Sequence, residues 1–145
     1  MATGKGNTFI NDFLKLVLNA TAIANIADNA ASGPLTNLYL ALSTGTLSAS
    51  SAQNTTEAAY TSYARVAVAR TTGGFTAASA QVSSLVATAS FPAATGGSET
   101  ETYASLGTDS TGAGKVLYWG PITPNLAVAN GVTPQLTTSS TITEA

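Results

Sequence analysis

The feature that most constrains this chain is the brevity of its apolar runs. Past residue 35, none lasts beyond about nine residues before Gly, Pro, Asn or Ser breaks it, and inside each run apolar residues alternate, the signature of short strands. "LYLALST" puts Leu38, Leu40 and Leu42 on one face and Tyr39 and Ala41 on the other. "YARVAVAR", "AQVSSLVATASF", "ETETYASLGT", "KVLYWG", "LAVA" and "QLTTSSTIT" follow, separated by "TTGG", "PAATGGS", "DSTGAG" and other turn-forming clusters. Residues 45–56 carry no periodicity and are expected to be an exposed loop. The turn "ASGPL" precedes the first strand.

The N-terminal segment has a different period. Phe9, Phe13, Leu16, Val17 and Ala20 recur at helical spacing, with Ile10 and Leu14 widening the stripe. Asn7 or Thr8 is the expected cap, and Asp12 the first-turn acid. The reading is a mainly β fold, an antiparallel β-sandwich of jelly-roll-like type with one N-terminal α-helix. All 145 residues form one domain in this reading, with residues 1–30 helical and 35–145 in the sandwich.

Composition limits what such a fold can do. Much of the 44% hydrophobic content is alanine and aromatics are only 7%, so the core is thin, because small side chains bury little area. Oligomerisation is expected on that ground alone. A net charge of −2 with only five Lys+Arg argues against nucleic acid, whose binding needs clustered cations. There is no cysteine, hence no disulfide or thiolate site, and no histidine, the commonest general base and metal ligand. Residues 9–27 are interrupted by Asn11, Asp12, Lys15, Asn19 and Asn25, too polar a segment to span a membrane. The expectation is a soluble, unprocessed chain.

Three patterns invite chemistry. "TGAGK" resembles a phosphate loop, but Asp109 stands where the first Gly is required and Val116 where Ser or Thr is. A hairpin turn explains it better. Glu99 and Glu101 share a strand face, yet Gly96, Gly97, Ser98, Thr100 and Thr102 around them suggest water and a solvated strand edge. A cation site completed by Asp109 has no ligand spacing to recommend it. Serines have no histidine partner, and Lys5, Lys15 or Lys115 would act as bases only if strongly desolvated. No catalytic residue, cofactor or metal is expected.

That leaves two of the five cations, Arg65 and Arg70, on one alternating run. Val66 and Val68 mark its core face, so Arg65 is expected to project outward beside Tyr63, and Arg70 to reach solvent at the strand end. Arg65 is then either exposed or forked to a carboxylate, from Glu57, Glu99, Glu101 or a neighbouring subunit. Phe9, Phe13, Tyr63, Arg65 and Trp119 are the candidate subunit or capsid interface, and Arg65→Ala is expected to weaken assembly more than the fold.

The ordered set "LKLVLNATAIANIADNA", "LYLALST", "EAAYTSYARVAVAR", "FPAATGGSET", "GAGKVLYWG" and "NLAVANGVTPQL" resembles a family of small tailed-bacteriophage virion proteins of minor-tail, tail-fibre or decoration type. Related sequences often carry His after "LYLAL", where this chain has Ser43. The resemblance implies an all-β virion component without catalysis, assembled in the bacterial host cytoplasm. The first expectation is a decoration or cement protein on the outer capsid surface, a homotrimer bound to the major capsid protein at capsomer junctions. The alternative is a tail, baseplate or fibre-associated part. A carbohydrate-binding module with Trp119, Tyr118, Tyr103 and Phe75 as a stacking platform is a third reading. None involves nucleic acid or a membrane.

Overall fold

The computed structural model describes residues 7–23 and 35–144. The expected Gly33-Pro34 turn and the side chains of Asn7 and Phe9 fall outside the described residues. One helix, α1 (Asn7–Asn19), precedes β1 (Asn37–Ser43), β2 (Val66–Ala69), β3 (Val82–Ser84), β4 (Ala89–Ser90), β5 (Glu99–Gly107), β6 (Val116–Val128), β7 (Gln135–Leu136) and β8 (Thr141–Thr143). A four-stranded sheet has the order β2-β1-β5-β6, and two small ladders pair β3 with β8 and β4 with β7. The fold is mainly β with one helix, antiparallel in its pairings and sandwich-type rather than a closed barrel. Among the described residues, no helix is long and apolar enough to cross a membrane.

The chain divides into two compact units, each built from separate stretches of sequence. Unit 1 takes residues 1–36, 69–88 and 137–145; unit 2 takes 37–68 and 89–136. In unit 1, α1 lies against β3. Its buried face is Ile10, Leu14 and Leu18, while Phe13, Leu16 and Val17 are only half-buried. The stripe is thus centred one residue away from the expected Phe9–Phe13 line, because Ile10, Leu14 and Leu18 repeat at i, i+4, i+8. Asp12 lies past the first turn, where the helix has no acid. The helix stops where Ala20 turns left-handed (φ 54) and Thr21 N–H donates back to Lys15 O at 3.1 Å.

Arg70 completes that helix end. Its Nε donates to Val17 O at 2.6 Å and its Nη2 to Leu16 O, two of the last-turn carbonyls that lack a helical partner. A cation there also meets the negative end of the helix dipole. The expected escape to solvent is corrected: Arg70 is the cap of α1.

In unit 2, β5 is a central strand. It pairs with β1 (Leu40↔Leu106, Leu42↔Ala104) and with β6 (Ser105↔Trp119, Tyr103↔Pro121). One sheet face carries the buried Leu38, Leu40, Leu42 and Leu106, each contributing about 1.5–3 kcal/mol by burial. The opposite face carries Ala41, Ser43 and Ser105, also buried. "KVLYWG" and "LAVA", expected as separate strands, are the two ends of β6, with a register shift between them. "AQVSSLVATASF" is two short strands, β3 and β4, rather than one.

The expectation of an exposed loop at 45–56 is also corrected. Leu47 and Gln53 are buried there. Gln53 Nε2 donates to Tyr39 O (3.3 Å), its Oε1 accepts from Asp109 N (2.9 Å), and its own N–H donates to Gly114 O (2.9 Å). One amide side chain therefore satisfies backbone groups of β1 and of the β5–β6 turn. Two glycines make room for it. A Cβ on Gly107 would stand 2.1 Å from Gln53 Cδ and 2.5 Å from Lys115 O, and one on Gly114 2.2 Å from Gln53 Oε1. Gly107→Ala is expected to lower unfolding free energy by roughly 2–3 kcal/mol through overpacking. Urea denaturation measures it, and an unchanged midpoint would contradict this packing.

Candidate interaction surface

The expected interface residues divide into two groups once their surroundings are seen. Arg65 and Tyr63 belong to an internal lock. The strand β2 begins only at Val66, after Ser62 with φ 81, so strand alternation does not extend back to Arg65. Its side chain is 2% exposed. Nε donates to Glu57 Oε1 (2.6 Å) and Nη2 to Glu57 Oε2 (2.8 Å), a two-point fork that matches guanidinium to carboxylate. Nη1 then donates to Asp109 O (2.8 Å) and Nη2 to Gly112 O (2.6 Å). The carboxylate left open by the sequence reading is thus Glu57 of the same chain.

Tyr63 closes the arrangement. Its hydroxyl donates to Glu57 Oε1 (3.0 Å) and accepts Leu42 N–H (3.1 Å), tying the lock to β1. Its ring stacks on Phe91 with centroids 6.2 Å apart and meets Tyr60 edge-on at 5.3 Å. Burial, ahead of the neighbouring Glu57 charge, pushes the Tyr63 hydroxyl far above its usual range. The hydrogen bond to Glu57 raises Arg65 likewise, against the opposing effect of burial. "DSTGAG" is the β5–β6 turn, and the carbonyls of Asp109 and Gly112 within it receive Arg65.

Glu99 and Glu101 do not form a solvated edge: Glu101 is buried, and Glu99 is half-buried against the backbone of residues 59–60. Glu99 Oε1 accepts Ala59 N–H and Tyr60 N–H, both at 2.9 Å. Glu101 is fully buried, and neither of its oxygens has a donor. Burial pushes its carboxyl up to about 8, and a hydrogen bond to Glu99 and the Glu99 charge add to the rise. Two carboxylates have no proton to share, so that bond exists only while one is protonated. The Tyr60 hydroxyl, bonded to Pro92 O at 3.0 Å, is pushed up to about 12 by burial and then by the charges of Glu101 and Glu99. Asp109 lies beyond the other end of β5. Among the described residues, no three of Asp, Glu, His and Cys come together as a metal site would require.

Trp119 is the expected residue that faces outward, at 42% exposure. It sits on β6, the terminal strand of the four-stranded sheet, opposite Ser105 of β5. Among the described residues no strand pairs with the outer edge of β6, and its 13 residues include no charge. Pro121 and Pro124 blunt its second half, whereas 116–120 holds no such device. Above Gly120 there is open space. Phe13 is half-buried on α1. The four aromatics proposed as a sugar platform do not make one: Phe75 is fully buried, and Tyr118 points to the sheet face opposite Trp119.

A family model described as Podophage GP4 fiber I protein gp80 matches residues 15–143. The chain belongs to this family. It is therefore a tailed-phage virion structural protein of fibre type, within the minor-tail, tail-fibre or decoration range that its ordered motifs had left open. No curated protein matches it. In this fibre-type protein the matched span includes the lock, the carboxyl pair and β6.

Sequence reasoning left the partner of Arg65 open among Glu57, Glu99, Glu101 and a neighbouring subunit. The signal was Glu57, eight residues earlier and one of seven acidic residues for five cations. In the structure Arg65→Ala leaves Glu57 without its guanidinium and frees two carbonyls of the turn. The expected cost is about 3–5 kcal/mol of fold stability, with Arg65→Lys recovering only part because an ammonium cannot present the fork. Chemical denaturation of the purified variants checks this. A loss below about 1 kcal/mol, the range of an exposed pair, would contradict it.

Proposed function

We propose that this protein is a non-catalytic component of the phage tail-fibre apparatus, built into the virion through the first half of β6, where Trp119 is exposed. The observation that carries the reading is that strand. It is uncharged and lies at the end of its sheet, with a large aromatic side chain in water. A terminal strand can accept a further strand at its outer edge, and the exposed Trp119 supplies the apolar anchor that subunit contacts favour. Its partners in this reading are further copies of itself, the oligomer expected from composition and taken as a homotrimer from the resemblance, and adjoining tail or baseplate proteins. The fibre description of the family supports the tail over the head. Capsid decoration, the first expectation from sequence, is the competing outcome.

Cryo-EM of intact virions separates them: density on the tail fibre supports the proposal, and density confined to capsomer junctions overturns it. Light scattering of the purified chain tests the trimer. For the contact itself, Trp119→Asp is expected to leave the unfolding midpoint nearly unchanged, as exposed substitutions do, within about 0.5 kcal/mol. The same change is expected to reduce incorporation into virions roughly tenfold or more, the loss typical of a central aromatic contact. Normal incorporation of a stably folded Trp119→Asp protein would contradict the assigned contact.

A further inference from the structure

The Glu99–Glu101 pair in unit 2 is used by neither the lock nor the proposed contact, and its geometry is unusual. Glu101 is fully buried with both oxygens lacking a donor. Glu99, two residues away on the same strand face, already accepts the N–H groups of Ala59 and Tyr60. Among the described residues, the titratable groups that act on Glu101 are Glu99 and Tyr60, with no cation beside them. The Tyr60 hydroxyl is itself bonded to Pro92 O, and Glu57, at the start of segment 57–61, is held by Arg65. On β5 the neighbour is Glu99, and β6 presents Leu126 as the register partner of Glu101.

We infer that Glu99 and Glu101 share one proton, and that this proton is a pH-sensitive latch holding segment 57–61 to β5 in unit 2. With the proton on Glu101, its O–H donates to Glu99, whose other bonds grip the backbone at Ala59 and Tyr60. Without it, the buried Glu101 carboxylate faces a second negative charge and has no donor of its own to offset it. The cost of an uncompensated buried charge is then relieved by opening of this contact.

The sign follows from linkage. Glu101 binds its proton more tightly folded, with a value of about 8, than unfolded, at 4.5. The latch is complete below pH 4.5 and its stabilisation is lost as pH rises towards 8. Across that window one proton leaves on unfolding, so the unfolding equilibrium constant rises roughly tenfold per pH unit. The chain suits the measurement, because it has neither His nor Cys, the side chains that titrate there at or near their ordinary values. This inference does not depend on where in the virion the protein sits.

The test is urea denaturation of the full chain and of Glu101→Gln between pH 5 and 9. Glutamine keeps the shape of the protonated acid and cannot lose the proton. The wild type is expected to lose stability steadily towards pH 8, Glu101→Gln to show a flat profile and to be the more stable protein at pH 9. Parallel profiles for the two proteins would overturn the proposal. Should Glu101→Gln not fold, carbon-13 NMR of the wild-type carboxyl groups decides. A Glu101 resonance titrating near pH 8, with faster amide exchange at Ala59 and Tyr60 above that midpoint, supports the latch. A resonance titrating below pH 6 overturns it, as does full recovery of stability at pH 9 on adding calcium or sodium ions, which would make the pair a cation site.

Discussion

The rest of unit 2 depends on the fork between Arg65 and Glu57. A core of leucines and small residues packs on two faces of one sheet, and Leu47, Ala58, Tyr60 and Phe91 of the connections join it. The fork adds directed polar ties to that apolar packing. Through Glu57 and Tyr63 it grips β1, and through Asp109 O and Gly112 O it grips the β5–β6 turn. Each bond is charge-assisted or completes a backbone group that would otherwise face the interior unpaired. Arg70 does the equivalent in unit 1 by closing the end of α1. Two cations five residues apart thus serve two different units.

This use of charge has a consequence for the surface. With seven acids and five bases in the whole chain, every pair taken inward leaves the exterior less charged. Arg65, Glu57 and Glu101 are all withdrawn from water to a large degree. What remains outside on β6 is an uncharged strand with the exposed Trp119, the surface that the proposed contact uses.

Much of the fold was legible because period is a local signal. Alternating leucines located β1, and helical spacing located α1, although Ile10, Leu14 and Leu18 are its buried line and Phe13 is only half-buried. What sequence could not reveal was non-local. Pro121 and Pro124 read as breaks, yet an edge strand tolerates proline, so β6 runs through both. Gln53 has no period to betray it, and only the close approach of Gly107 and Gly114 shows that its amide is a core element. Glu101 looked solvated beside Ser and Thr, but it is buried where segment 57–61 meets β5, a non-local contact that alternation does not encode. Within the candidate site, Trp119 was readable as an exposed aromatic, whereas the partner of Arg65 depended on how residues 57–65 turn before β2 begins.

The most direct test of the central claim is a double-mutant cycle on fold stability with Arg65→Ala, Glu57→Ala and the double variant. If the fork is the internal tie described, the two changes are strongly non-additive, with a coupling of roughly 2–3 kcal/mol, near the top of the range for contacting residues. If their effects simply add, within about 0.5 kcal/mol, the two side chains do not act on each other and the account fails at its base.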